Sequence, residues 1–278
     1  MRRERIAEDV YVFTSDLYAQ VTAGVILTRE GAVIIDTLPF PQESIELGVF
    51  VRRASRQGVR YVINTHHHAD HVYGNYLFPE AELLAHEKCR RALLNHGQRG
   101  LDKAKAQVPE LADVRLRIPD VVFDRGEMIV HLGNKSLILT LAPGHTEDSI
   151  TVYAKEEKVL FAADTIMPVP YIVFGDADEM IASLNSISKL PIDSIVQGHG
   201  EVLLRGEVAE TLETSVRYLQ TIKKRAQAAV DKGAAKETLQ RVGIEECGKS
   251  RIPLNGLVQQ LHLANLMHLY EKFSAQKA

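Results

Sequence analysis

The chain has 278 residues, enough for one large domain or two small ones, with 45% apolar and 25% charged residues and a formal charge of −3. No basic block argues for nucleic acid, no run of 18 or more apolar residues indicates a membrane span, and the N-terminus MRRERIAEDVYVF lacks the apolar segment of a secretory signal. Cys89 and Cys247 stand far apart and outside any C-x-x-C context, so each reads as a small buried residue and a reducing cytoplasm is expected.

The first third reads as strands: VYVFT (10–14), AGVILT (23–28) and AVIID (32–36), the last ending on an acid. Leu38-Pro39-Phe40-Pro41 stops that run. A helix follows over 42–57, with Ile45, Val49 and Arg52-Arg53 at near-helical spacing and Gly58 as its stop. RYVIN (60–64) is the next strand and runs into NTHHHADHVYGN (64–75). ELLAH (82–86) reads as a strand and 87–97 as a helix, while the polar stretch 98–118 is a helix or ordered loop. Residues 121–142 alternate as strand pairs around a turn at Asn134, and ITVYA (150–154) with VLFAA (159–163) forms another hairpin. A helix at 177–189 precedes DSIVQGHG (193–200), a strand ending in a glycine-flanked histidine. Beyond Gly206, apolar residues from Val208 to Val230 recur at helical steps, and shorter helices are expected at 234–242 and 256–274. The chain is thus mixed α/β to residue 205 and helical from 206 to 278.

Histidine, present eleven times, is the informative residue type. Metal-ligating side chains stand where strands give way to loops: His66, His68, Asp70 and His71 after RYVIN, His145 after SLILTLAPG, Asp164 after VLFAA, and His199 after DSIVQG. Seven ligands exceed the four of a tetrahedral zinc but suit two metals that share one carboxylate. Imidazole and carboxylate donors suit zinc, with iron and manganese as alternatives. A metal pair of this kind activates a bridging hydroxide for attack on a carbonyl, phosphorus or sulfur centre.

The ordered set HHHADH (66–71), PGHT (143–146), AADT (162–165) and QGHG (197–200), with VIIDT ending its strand at Asp36, resembles the metallo-β-lactamase-fold hydrolase superfamily over roughly residues 10–205. The resemblance implies a four-layer αβ/βα sandwich with metals at one edge between two sheets. That catalytic domain would span 1–205, with residues 206–278 as a helical C-terminal extension packed on it. It further implies His66, His68 and His145 on one metal, Asp70, His71 and His199 on the second, and Asp164 bridging. Asp70 would also orient the hydroxide, and Asp36 would orient a ligand without binding metal. His67, between two ligands, would point away. The implied enzyme is a dinuclear zinc hydrolase of an ester-type small molecule: thioester, lactone or phosphoester.

An aspartate at 164, where some β-lactamases of this fold have cysteine, fits the glyoxalase II, phosphodiesterase, arylsulfatase and lactonase branches. The helical C-terminus resembles glyoxalase II in layout, but no basic glutathione-binding pattern accompanies it. Lactonases have a tyrosine close after the bridging aspartate; here Met167-Pro168 occupies that region and Tyr171 follows. A second resemblance, to persulfide dioxygenases with a single iron, rests on His68-Ala69-Asp70-His71. A flavodiiron oxidase is disfavoured because no flavodoxin-like segment follows residue 205. A binding protein on a catalytically dead fold would show missing ligands, and none is missing. Tyr73, Tyr76, Tyr171 and Phe174 lie near the motif loops, each as a packing or a substrate-contact residue. The C-terminal helices either roof the site or form a homodimer. On the last of them, Leu254, Leu257, Leu261 and Ala264 make a stripe read as core packing, and His262 and His268 read as surface or packing residues.

Overall fold

The computed structural model describes residues 1–277. Its first sheet holds seven strands in sequence order: β1 (Arg2–Ala7), β2 (Val10–Thr14), β3 (Thr22–Thr28), β4 (Gly31–Ile35), β5 (Val59–Ile63), β6 (Glu82–His86) and β7 (Val121–Phe123). The first four pair antiparallel, as short connections allow, and β4 to β7 pair parallel through longer crossovers. β4 is buried at every position, which is why GAVII is continuously apolar instead of alternating. Parallel strands end on the same edge, so Asp36 and the 64–75 stretch are delivered side by side after β4 and β5.

The second sheet has the order β13-β12-β11-β10-β9-β8, from β8 (Glu127–Leu132), β9 (Lys135–Leu141), β10 (Ile150–Ala154), β11 (Val159–Ala163), β12 (Ser194–Gln197) and β13 (Leu203–Leu204). Residues 121–142 do not all pair with one another. β7 joins the first sheet beside β6, and only β8 and β9 form the hairpin at Gly133-Asn134. The Asp124-Arg125-Gly126 turn, with Gly126 at φ 65°, carries the chain from one sheet to the other.

Seven α-helices complete the fold: α1 (Pro41–Ala54), α2 (Ala69–Val72), α3 (Glu87–Ala92), α4 (Gln98–Gln107), α5 (Ala177–Ile187), α6 (Arg205–Asp231) and α7 (Leu257–Lys277). The segment expected as a helix at 234–242 is a 3₁₀ turn, Lys236–Arg241. α1 packs on the outer face of the first sheet. Its buried face is Ser44, Leu47, Gly48 and Val51, while Ile45 is exposed. Ile45 and Val49, which gave the helical spacing, thus lie beside the buried face and not on it. The inward face tolerates small and polar groups because Phe78 fills the space beside Gly48, and because Ser15 Oγ and the Asp16 N–H both donate to the buried Glu43 carboxylate.

Between the sheets, Val12, Ile26 and Ile35 meet Leu137, Leu139 and Phe161. On the outer face of the second sheet, Leu160, Ala162 and Ile195 share one core with Met180 of α5, Leu219 and Ile222 of α6, and Val258 and Leu266 of α7. The layers are helix, sheet, sheet, helix, with the C-terminal helices in the fourth. α7 buries Val258, His262, Asn265, Leu266 and Leu269; of the expected stripe, Leu254 lies in this core, Leu257 and Leu261 pack half-buried against it, and Ala264 is half-buried. Cys89 and Cys247 are free and buried. No helix among the described residues is long and apolar enough to cross a membrane.

Candidate metal centre

All seven strand-end side chains lie together where the two sheets meet at one edge. Two groups form, His66, His68, His145 and Asp164 in one, and Asp70, His71 and His199 in the other, with potential ligand atoms within 4.8 Å of one another in each. Asp164 stands between them. Its Oδ2 is 3.3 Å from His145 Nε2 and 3.9 Å from His66 Nε2, while its Oδ1 is 3.3 Å from His71 Nε2 and 3.5 Å from His199 Nε2. Asp70 Oδ2 lies 3.3 Å from His199 Nε2 and 3.7 Å from His71 Nε2.

The backbone turns these groups inward at a cost. Ala163, immediately before Asp164, has φ 43°, and Asp36 has φ 58°, conformations that cost a β-carbon on the order of 1–3 kcal/mol. Behind Asp164 the chain passes so closely that a β-carbon at Gly198 would lie 1.9 Å from Asp164 Oδ1, so only glycine fits.

Each imidazole save one is fixed by its Nδ1–H. His71 donates to Asp36 Oδ2 at 2.8 Å, His145 to the Tyr171 carbonyl at 2.8 Å, and His199 to the Ala19 carbonyl at 2.9 Å. The Thr65 hydroxyl gives its single proton to Asp36, so it accepts from His66 Nδ1 at 3.2 Å. These bonds leave the Nε2 lone pairs facing the cluster. His68 Nδ1 lies 3.0 Å from His145 Nε2, the two nitrogens aimed into the same space. His66 Nε2, His71 Nε2 and Asp164 Oδ1 are buried with no hydrogen-bond partner. Buried polar atoms rarely go unpaired. Three converging orphans, all imidazole nitrogen or carboxylate oxygen, fit divalent cations as their missing partners.

The charges show the same need. Burial pushes the His68 imidazole down to about 3, helped by the neighbouring His145. Burial also opposes charge on His199, yet Asp164 and Asp70 outweigh it and push His199 up to about 10. Burial would raise Asp70, but His71 and His199 bring it down to about 2. Protons on His199 and His71 therefore stand in for cations when a chelator strips the site. A raised histidine stabilises the fold below its unfolded pKa of about 6.5, and that contribution disappears as pH rises through about 10. The Asp70 contribution is present above about 3.8 and lost as pH falls through about 2. Metal ligation requires deprotonated imidazoles and strengthens with pH. Chelator treatment is therefore expected to cost more stability at about pH 8.5 than at about pH 5.5 in urea unfolding; an equal cost at both would contradict this electrostatic picture.

The cluster opens into a cavity of about 560 Å³. Tyr171 and Phe174 line it, whereas Tyr73 and Tyr76 do not; those two pack around Val72, Cys89 and Leu93. His67 does not simply point away. Its ring lines the cavity while Asp148 holds its Nδ1 at 2.9 Å and its backbone N–H at 2.9 Å. Leu257 and Leu261, read from the sequence as core packing, also line the cavity. His262 is a packing residue, bonded to the Tyr218 hydroxyl and the Val242 carbonyl.

Sequence reasoning missed five contributors, the first being Thr65, whose hydroxyl stands behind His66. Ala19 and Tyr171 act through backbone carbonyls, which leave no signature in residue type. Asp148 stands only three residues beyond His145, and that nearness was its one signal. Asn265 of α7 is the fifth: its amide donates to the Pro170 carbonyl at 2.7 Å and accepts from the Ile172 N–H at 3.0 Å, bracketing the residue that holds His145. Asn265→Leu leaves that buried carbonyl and N–H unpaired, a cost of about 1–3 kcal/mol for each. The variant is expected to unfold at lower urea and to bind metal about tenfold more weakly by chelator competition. Unchanged affinity would show that Tyr171 is positioned without α7.

A sequence profile of the metallo-beta-lactamase superfamily matches residues 18–199. The chain is 29% identical over 190 residues to the Beta-lactamase-like protein 2 homolog of Caenorhabditis elegans, covering 67% of this chain and 57% of that protein. It is 29% identical over 180 residues to the Hydroxyacylglutathione hydrolase of Methylococcus capsulatus, covering 63% and 61% respectively. These matches span about three fifths of the length of those relatives. Among solved structures, a metallo-beta-lactamase from Pontibacter korlensis superposes with a TM-score of 0.62 at 22% identity, over 79% of this chain and 98% of that one, which speaks for the fold alone. Fold, clustered strand ends and matched profile agree: the chain belongs to the metallo-beta-lactamase superfamily.

Proposed function

We propose that this chain is a dinuclear zinc-dependent hydrolase of an ester-type small molecule, a thioester, lactone or phosphoester. The observation that carries the reading is Asp164, whose two carboxylate oxygens face two separate groups of imidazole and carboxylate donors. In this reading His66, His68 and His145 hold one ion, Asp70, His71 and His199 the other, and Asp164 both. Relatives named as hydroxyacylglutathione hydrolases support hydrolysis, and a thioester among the substrates.

Divalent metals, when bound, supply Lewis acidity and lower the pKa of water toward about 7. The chain's own residues do the rest. Asp36, Thr65, Tyr171 and Ala19 hold four imidazoles in one tautomer, so no reorganisation is needed as charge develops. Asp70, whose side chain is 15% exposed and lines the cavity, is the carboxylate placed to orient the attacking water and hold the proton it gives up. That proton then passes to the leaving oxygen or sulfur. Residues 1–205 carry this chemistry, and residues 206–278 form the helical extension packed on them, which lends Leu254, Leu257 and Leu261 to the cavity wall. The reading includes a cytoplasmic location, to which two free buried cysteines are suited. It also includes a possible homodimer, tested by sedimentation.

Metal analysis of the purified chain, followed by a thioester, lactone and phosphoester panel, tests the proposal. Two zinc ions per chain and turnover of one class are expected. One iron per chain with oxygen consumption on a persulfide would replace this reading with the mononuclear dioxygenase.

A further inference from the structure

The walls of the cavity are almost devoid of charge beyond the cluster. Asp70 and Asp164 belong to the cluster, and no lysine or arginine among the described residues lines the cavity. The remaining surface is largely Tyr18, Met167, Phe174, Leu254, Leu257 and Leu261. Three of these come from one short segment. Leu254 opens the 3₁₀ turn Leu254–Gly256, and Leu257 and Leu261 follow four residues apart on α7, so they share one face. In the same lining, Phe174 is 62% exposed and Tyr18 46% exposed. The Phe174 ring stands edge-on to His68 at 5.1 Å, so this exposed apolar surface begins at the cluster itself. Large exposed aromatics beside a lined cavity mark a surface that a ligand covers.

Resting on the hydrolase reading, we propose that the site takes esters or thioesters carrying an uncharged aliphatic chain, seated between Phe174 and the leucines of the 254–261 segment, and rejects substrates bearing carboxylates away from the reacting bond. Water adds to the carbonyl carbon, the C–O or C–S bond breaks, and the water proton ends on the departing oxygen or sulfur. A carboxylate on the chain, held away from the cluster, gives up its hydration with no lysine or arginine in the walls to meet it. Each methylene, by contrast, leaves water for an apolar wall.

The test uses the zinc-loaded full chain and two matched series: N-acetylcysteamine thioesters with acyl chains of two to eight carbons, and acetate esters of alcohols of the same lengths. kcat/KM is expected to rise about two- to fourfold per methylene in the series whose chain occupies the cavity. A glutaryl thioester is expected to be at least about 100-fold poorer than the pentanoyl thioester of equal length. Leu261→Gln and Leu257→Gln are expected to reduce the octanoyl rate about tenfold more than the acetyl rate. Binding of octanamide, an unreactive ligand, is measured alongside by calorimetry and is expected to weaken in both variants. Hydrolysis that is flat with chain length, or that favours the glutaryl thioester, overturns the proposal, as does failure of octanamide to bind. If octanamide binds in a leucine-dependent manner but neither series is hydrolysed, the open-chain ester and thioester branch of the hydrolase reading falls and the aliphatic ligand class stands.

Discussion

Asp164→Ala is expected to lower turnover by at least about 10³-fold and to release metal from both groups at once, while the chain stays folded. The expectation follows from position. Among the described residues, Asp164 is the carboxylate whose oxygens lie within 4 Å of His66 and His145 on one side and of His71 and His199 on the other. In the proposed scheme, removing them would deprive each cation of a ligand and leave like charges next to each other without a carboxylate between. The check is metal content per chain by mass spectrometry alongside urea unfolding. A variant that keeps two metals and full turnover would remove the bridging role and, with it, the dinuclear reading. Gly198→Ala offers an independent route to the same end, since its β-carbon would collide with Asp164 Oδ1.

Asp36→Ala is expected to weaken metal binding about 10- to 100-fold, although Asp36 touches no metal in the proposed scheme. Its carboxylate accepts from the Thr65 N–H at 2.9 Å, the Thr65 hydroxyl at 2.6 Å and His71 Nδ1 at 2.8 Å. All three donors are buried, so the variant strands them at about 1–3 kcal/mol each. Stability should fall by several kcal/mol as well as affinity. Asp36→Asn separates the two effects: the amide still accepts one bond, so stability should recover more than the tautomer of His71 does. Chelator competition on both variants, with urea midpoints, reads this directly. Equal affinity in wild type and Asp36→Ala would mean that His71 is oriented by another group.

Much of the framework could be read without coordinates. Strands such as GAVII, VRYVI and VLFAA announce themselves through apolar runs bounded by turns; the first and last are buried throughout, and the second is buried except at Arg60 and Tyr61. The errors have specific causes. In α1 the residues that showed helical spacing, Ile45 and Val49, lie off the buried face, which Leu47 and Val51 share with Ser44 and Gly48. VVF (121–123) resembles its neighbours in composition, and nothing local says that it pairs with β6 in the other sheet. Leu257 and Leu261 do pack against the core as their spacing suggests, and only their placement shows that they also face a cavity.

The sequence alone determined that imidazoles and carboxylates stand at the ends of successive strands, because ligand chemistry resides in side chains and strand ends are marked by local turns. Tertiary structure alone decided what holds those side chains and what surrounds them. The Ala19 and Tyr171 carbonyls that orient His199 and His145 belong to the backbone, which is the same at every residue. The leucines over the cluster come from more than fifty residues beyond His199 and enter the site only because α7 packs across the second sheet. Residue type and spacing encode which atoms can react, whereas the wall they react against is set by long-range packing, and apolar side chains carry no mark of what they will face.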